Sequence, residues 1–128
     1  MENTNGKSLY ERLGGNDGIL KLVDDIVDAH LKNPAIAQRY VFVKEDPERM
    51  AKVKKHTRQF LGAGTGGPEN YEGQDMPAAH KGMNISEAEF LHVIDDILLG
   101  LDKNNVDAQS KNEVLAIAYS LKDQIVRL

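Results

Sequence analysis

The sequence predicts an all-α chain, and three observations carry that expectation. Apolar residues recur at three- and four-residue spacing in several separate stretches of the 128 residues. Helix-start signals precede those stretches: Ser8 with Glu11, Asp46 followed by Pro47, and Ser86 with Glu89. No segment alternates apolar and polar residues as a half-buried strand does.

Taken in order, residues 1–7 are polar and are expected to form a flexible tail on a single domain spanning residues 1–128. Ser8 and Glu11 are spaced as a capping box for a short turn that Gly14-Gly15 ends. Asn16 or Asp17 is expected to cap the first long helix, which runs to about Leu31. Ile19, Leu22, Val23, Ile26, Val27 and His30 form its inward stripe, and Asp24, Asp25 and Asp28 take the other side. Asn33-Pro34 breaks it, a turn of helix follows through Tyr40, and Val41-Phe42-Val43 is an apolar connector too short to classify. Asp46-Pro47 then opens a helix with Met50, Val53, Thr57, Phe60 and Leu61 inward, ended by Gly62 and Gly64.

Residues 66–83 hold four of the eleven glycines and two of the four prolines, so they cannot be one long helix. Within them Pro77 can open, and Gly82 can close, about one turn that contains His80. Ser86 opens a helix to about Leu101, with Phe90, Val93, Ile94, Ile97, Leu98 and Leu101 inward. In the last helix Val114, Leu115, Ala118, Leu121 and Ile125 form the stripe.

Composition narrows the chemistry. A net charge of −4 argues against nucleic acid as the main partner, because phosphate binding needs a positive field. Without cysteine there are no disulfides, thiolate metal sites or cysteine nucleophiles. With 41% apolar and 28% charged residues, a polar start and no run of ~20 apolar residues, a soluble cytoplasmic protein with no membrane contact is expected.

The four histidines are the candidates for chemistry. His80 sits on a short punctuated segment that suits a metal ligand, and equally a solvated or hydrogen-bonded ring. His56 borders the apolar face of its helix, between Val53 and Phe60, where an amphipathic edge residue is the plain reading. His30 lies on an apolar stripe, as a satisfied core or edge histidine does. His92 points away from its helix's stripe and is expected to be solvated. Glu89 and His92 have the spacing of di-iron bundles, but no second pair accompanies them. Zinc-hydrolase signatures are absent as well. Arg49, Lys52, Lys54, Lys55 and Arg58 make a basic run, either a solvated face or a set of partners for anionic groups of a bound molecule. The glycine run of residues 62–67 follows a helix and lacks the ending of a phosphate loop.

Together these segments resemble the truncated haemoglobins, the two-over-two globin fold, and specifically their group I, over residues 8–101. The pattern comprises Leu9-Tyr10-Glu11-Arg12-Leu13-Gly14-Gly15, Phe60-Leu61 followed by Gly66-Gly67, Tyr71-x-Gly73-x-x-Met76-x-x-x-His80, and Phe90-x-x-Val93. The resemblance implies a two-over-two helical sandwich around a b-type, non-covalent haem, with His80 as the proximal iron ligand. His56 matches a position where some members hold a second, distal histidine ligand, so a six-coordinate haem is expected before any gas binds. Val53, Lys54, Thr57, Phe60, Met76, Phe90 and Val93 would contact the haem, with Tyr40 or Phe42 as the abutting aromatic residue. No histidine follows His92, so covalent haem attachment through the last helix is not expected.

Departures from the family pattern are informative. Val27 stands where many members carry tyrosine, and Val53 where a glutamine often lies. Loss of those hydrogen-bond donors should weaken oxygen retention by ~1.5–3 kcal/mol, about tenfold to a hundredfold. His56 and Thr57 are the remaining polar groups of the distal pocket. The expected ligands are the diatomic gases oxygen, nitric oxide and carbon monoxide. Nitric oxide dioxygenation with an electron-donating reductase is the enzymatic option, and electron transfer or redox sensing the alternative. A monomer is expected.

Overall fold

The computed structural model describes residues 6–128, so the expected tail lies mostly outside the described residues. Its helices are α1 (Leu9–Arg12), α2 (Gly15–Lys32), α3 (Val41–Lys44), α4 (Pro47–Gly64), α5 (Met76–His80), α6 (Glu87–Lys103) and α7 (Ala108–Ser120), with 3-10 turns at Ala37–Tyr40 and Lys122–Gln124. One isolated parallel bridge, Ile85 to Val126, is the β pairing among the described residues. α2 packs on both α4 and α6, and α6 on α7, which gives the two-over-two arrangement. No described helix is long and apolar enough to cross a membrane.

The capping chemistry read from the sequence operates at most helix starts. Ser8 and Glu11, and Ser86 and Glu89, form complete capping boxes, and Asp46 accepts from the Arg49 backbone N–H. The first long helix departs from expectation. It begins at Gly15, with Gly14 as its cap at φ 99°, so Asn16 and Asp17 lie inside its first turn. Gly14 reaches the left-handed region at little cost, which makes a side-chain cap unnecessary. Gly62 lies inside α4, where a glycine costs only about 1 kcal/mol in propensity, and the helix ends at Gly64 as expected, with Thr65 as its C-cap. The 41–43 connector is a short helix, α6 continues to Lys103, and α7 stops at Ser120, before Ile125.

Beneath α2 lies a core of Leu9, Leu13, Ile19, Leu22, Val23, Ile26, Val27, Leu101 and Val114. Polar ties hold the small elements to it. Arg12 on α1 forks onto Glu113 of α7 at 2.5 and 2.9 Å and donates to Ser110 at 3.0 Å. The Tyr10 N–H donates to the Thr65 carbonyl at 2.8 Å, fixing the end of α4 against α1. The inward stripe of α2 is buried throughout, as its periodicity implies.

On α4 the stripe behaves differently. Val53, Thr57, Phe60 and Leu61 are only half-buried, and Gln59 and Gly62 are its fully buried residues. The apolar face is formed but not covered by protein.

Where α2 crosses α6, Gly100 permits the close approach. A Cβ there would stand 2.7 Å from Ile26 Cγ1 and 3.5 Å from the Ile26 backbone nitrogen. Overpacking of this kind costs about 1–3 kcal/mol, more than the ~1 kcal/mol that alanine gains over glycine inside a helix. Gly100→Ala should therefore lower the melting temperature measured by circular dichroism, and an unchanged or raised value would show that α2 and α6 can separate without loss.

Candidate functional site

The uncovered face of α4 looks onto an internal cavity of about 690 Å³, closed by α2, the Ala37–Tyr40 turn, α5, α6 and α7. The size suits a cofactor-sized ligand. α2 contributes Leu22, Ile26, Val27 and His30, and α4 contributes Val53, His56, Thr57 and Phe60. Opposite them stand Met76 and His80 of α5, Phe90 and Val93 of α6, and Val114, Ile117 and Ala118 of α7. Ile117, rather than Leu115, turns the last helix's stripe to the cavity.

His80 ends the one-turn helix α5. That helix starts one residue earlier than Pro77 suggests, at Met76, because Asp75 caps it by accepting from the Ala78 N–H at 2.8 Å. His80 Nδ1 lies 2.8 Å from the Met76 carbonyl oxygen. A carbonyl can only accept, so Nδ1 carries the hydrogen, and Nε2 is left with its lone pair as a metal-binding nitrogen. The segment that follows is tied down at several points. Arg39 Nη1 donates to the Met83 carbonyl at 2.8 Å, and its fork grips Glu89 at 2.7 and 2.8 Å. The Asn84 N–H donates to the Leu128 carbonyl at 2.7 Å, and the Arg127 N–H to the Ile85 carbonyl at 2.8 Å.

His56 is half-buried on the facing wall, its ring edge-on to Tyr71 at 6.2 Å, while Tyr71 also meets Phe60 at 5.3 Å. No hydrogen bond among the described residues holds the His56 ring nitrogens. The Thr57 hydroxyl donates to the Val53 carbonyl at 2.8 Å, so its hydrogen serves the helix and not the cavity.

Both expected aromatic residues reach the wall. Tyr40 stacks on His30 with centroids 5.1 Å apart, and burial pushes its hydroxyl up to about 12. Phe42 sits at the mouth, half-exposed, under the Arg49 guanidinium at 4.8 Å. Lys54 requires a correction. It pairs with Asp24 at 3.0 Å and is not on the wall; Arg49 and Lys52, which the helical turn brings to the mouth, are. His92 also differs from expectation, being half-buried with Nδ1 3.5 Å from Asn33 Nδ2.

Several contributors escaped the sequence reading. Gln59 is buried and clamps the loop to α4, donating to Glu72 Oε1 at 2.5 Å and accepting from the Glu72 N–H at 3.1 Å. His30 and Asp96 form a buried pair at 2.7 Å. Glu89 reads as a helix cap, and its second role on Arg39 leaves no local mark.

The donor set fits a haem. His56 and His80 would suffice as ligands for iron whose other four ligands come from a porphyrin, most of the remaining lining is apolar, and Arg49 and Lys52 could pair with a porphyrin's acidic substituents. Among the described residues no cluster of three or more ionisable ligands suggests a bare metal ion.

Comparison with known proteins agrees. A family model described as bacterial-like globin matches residues 8–127. A group 1 truncated haemoglobin of Tetrahymena pyriformis is 28% identical over 120 residues, covering 93% of this chain and 95% of that protein. The crystal structure of truncated haemoglobin from Tetrahymena pyriformis in its Fe(III) form aligns with a TM-score of 0.86 at 24% identity, over 95% of this chain and all of that one. A 2/2 haemoglobin from Synechococcus, solved in the cyanomet state with covalently attached haem, aligns at 0.79 and 27% identity, over 92% and 95%.

The Arg39–Glu89 grip has a pH signature. The guanidinium holds the Glu89 carboxyl down at about 2, against an ordinary value of 4.5. Its contribution is therefore complete above the ordinary value and is lost as pH falls toward the lowered one. Glu89→Gln should destabilise the protein by about 1–3 kcal/mol at neutral pH, and the gap to wild type should close as pH falls from about 4 to 2. Thermal melts across that range measure it; a gap that does not change with pH would mean the charge plays no part.

Proposed function

This chain belongs to the bacterial-like globin family, and from that membership we propose that it holds its haem between His80 and His56. As a truncated globin it binds haem and small diatomic gases. Haem, when bound, supplies iron with axial positions for an imidazole and a gas molecule. The observation that carries the reading is that His56 of α4 and His80 of α5 line one largely apolar cavity, with the Nε2 of His80 freed for iron by the Met76 carbonyl.

The two histidines are held differently. His80 is fixed by its own hydrogen bond and by the tied segment after it, as suits a permanent ligand. His56 rests against the Tyr71 ring, with no hydrogen bond among the described residues to hold it, as suits a ligand that can leave. A six-coordinate resting state follows, in which a gas must wait for His56 to move and its apparent affinity falls by the fraction of time the site is open. Val27 and Val53 wall the distal side without offering a donor, and the Thr57 hydrogen is already engaged. That lack favours ligand exchange and electron transfer over long oxygen retention, which supports a redox or sensing role. Nitric oxide dioxygenation, in which oxygen and nitric oxide yield nitrate with a reductase restoring the protein, requires oxygen to stay bound and is the second reading.

Absorption spectra test the two ligands. The ferric wild type near neutral pH should be low-spin, and His56→Ala should be high-spin with haem retained. His80→Ala should lose most of its haem on gel filtration. A high-spin wild type, or a His56→Ala spectrum identical to it, would refute distal ligation, and full haem retention by His80→Ala would refute the proximal assignment.

The missing donor can be restored. In a His56→Ala background, Val27→Tyr should slow oxygen release by about an order of magnitude, the effect of one hydrogen bond of ~1.4 kcal/mol. Stopped-flow dissociation measures it, and an unchanged or faster rate would show that residue 27 does not face the bound gas.

A further inference from the structure

We propose that the buried His30–Asp96 pair is a proton-binding site coupled to the haem, so that adding one electron to the cavity draws one proton from solvent onto the pair. The proposal rests on haem filling the cavity. His30 lines that cavity from α2, and its Nδ1 lies 2.7 Å from Asp96 Oδ2 on α6. Asp96 lines a second, open groove of about 730 Å³ on the outer side of α2 and α6, beside Asn33. The pair thus joins two spaces, with His30 among the residues that line the cavity and Asp96 among those that line the groove. No element of ligand binding in the proposed site uses it.

The carboxylate of the pair is held by an uncharged donor. Asn33 Nδ2 donates to both Asp96 oxygens, at 3.2 and 3.3 Å, and stands 3.5 Å from His92 Nδ1. Burial pushes the His30 imidazole's proton affinity down, and the Asp96 carboxylate only partly restores it. A proton on the ring is therefore disfavoured, and a nearby site of low dielectric would feel a change in the charge held by the cavity strongly. Haem held here would supply an iron able to go from iron(III) to iron(II) with one electron from an external one-electron donor such as a reduced flavin. A proton from water in the groove joins the pair, and the charge enclosed by the walls is unchanged. The proton belongs to the pair as a unit rather than to either residue.

Asp25, Asp28, Lys32, Asp95, Asp102 and Lys103 line the groove together with Asp96, and fewer titratable groups lie toward His30. Asp96 and His92 face it from α6. Tyr40 and Arg39 face it from the Ala37–Tyr40 turn, the Tyr40 hydroxyl silent at about 12 and Arg39 held by Glu89. Across the cavity stand His56 and His80, which the variants below leave in place.

The test is the ferric–ferrous midpoint potential of the haem-loaded full chain, by spectroelectrochemistry between about pH 5 and 8. Proton uptake on reduction is read in parallel with an indicator dye in unbuffered solution. In the wild type the ferric-to-ferrous ratio at fixed poise should rise about tenfold per pH unit within the pair's titration window, a fall in potential of about 59 mV per unit. His30→Gln keeps an amide donor for Asp96 but no titrating ring, and should lose most of the slope and of the dye signal. Asp96→Asn removes the anion beside the ring and should move uptake to lower pH. A pH-flat wild type, or a His30→Gln slope equal to wild type, overturns the proposal. If His30→Gln does not fold, Asp96→Asn decides alone, an unmoved window overturning the proposal. A chain that takes up no haem overturns both this proposal and the reading beneath it, whereas a haem-loaded chain with a flat potential overturns this one only.

Discussion

The interior is built around a space that no side chain fills. Protein cores are close-packed, and a void of about 690 Å³ walled by valine, phenylalanine, methionine and isoleucine forfeits dispersion contacts along its whole lining. The half-burial of Val53, Thr57, Phe60 and Leu61 on α4 has the same origin, for that helix has formed an apolar face whose partner is a flat cofactor rather than another helix. The conventional core lies beneath α2, where Ile19, Leu22 and Val23 are each 1% exposed, and it supports one wall of the space. Gly100 lets α6 approach α2 closely enough to keep that wall thin.

Around this space the two sides are held with unequal firmness. On the α5 side, ties from Arg39, Leu128 and Arg127 converge on residues 83–85, just beyond His80. A one-turn helix has little stability of its own, so the position of His80 depends on these distant partners. On the α4 side the loop after the helix is clamped through Gln59 and Glu72, while His56 has only an aromatic contact.

The wall between α2 and α6 carries a different burden. His30 and Asp96 are 6% and 3% exposed, and groups so buried are tolerated only where their hydrogen bonds are made. Asn33 completes them by donating to both carboxylate oxygens. The helix break at Asn33-Pro34 therefore has a second use, since it leaves the Asn33 side chain turned back onto α6.

The sequence by itself determined the helical class, the inward stripe of α2, the capping boxes at Ser8 and Ser86, the Asp46 cap and the punctuated turn that holds His80. These depend on neighbours within four residues, and such signals survive in the order of the chain. It also marked Val27, Val53 and His56, whose meaning came from a family pattern. Only the tertiary structure decided that Lys54 serves Asp24 while Arg49 and Lys52 line the cavity. The Arg39–Glu89 and His30–Asp96 pairs join residues 50 and 66 positions apart. No local periodicity records a partner at that distance, because the pairing exists only once α2, the 37–40 turn and α6 have packed against one another.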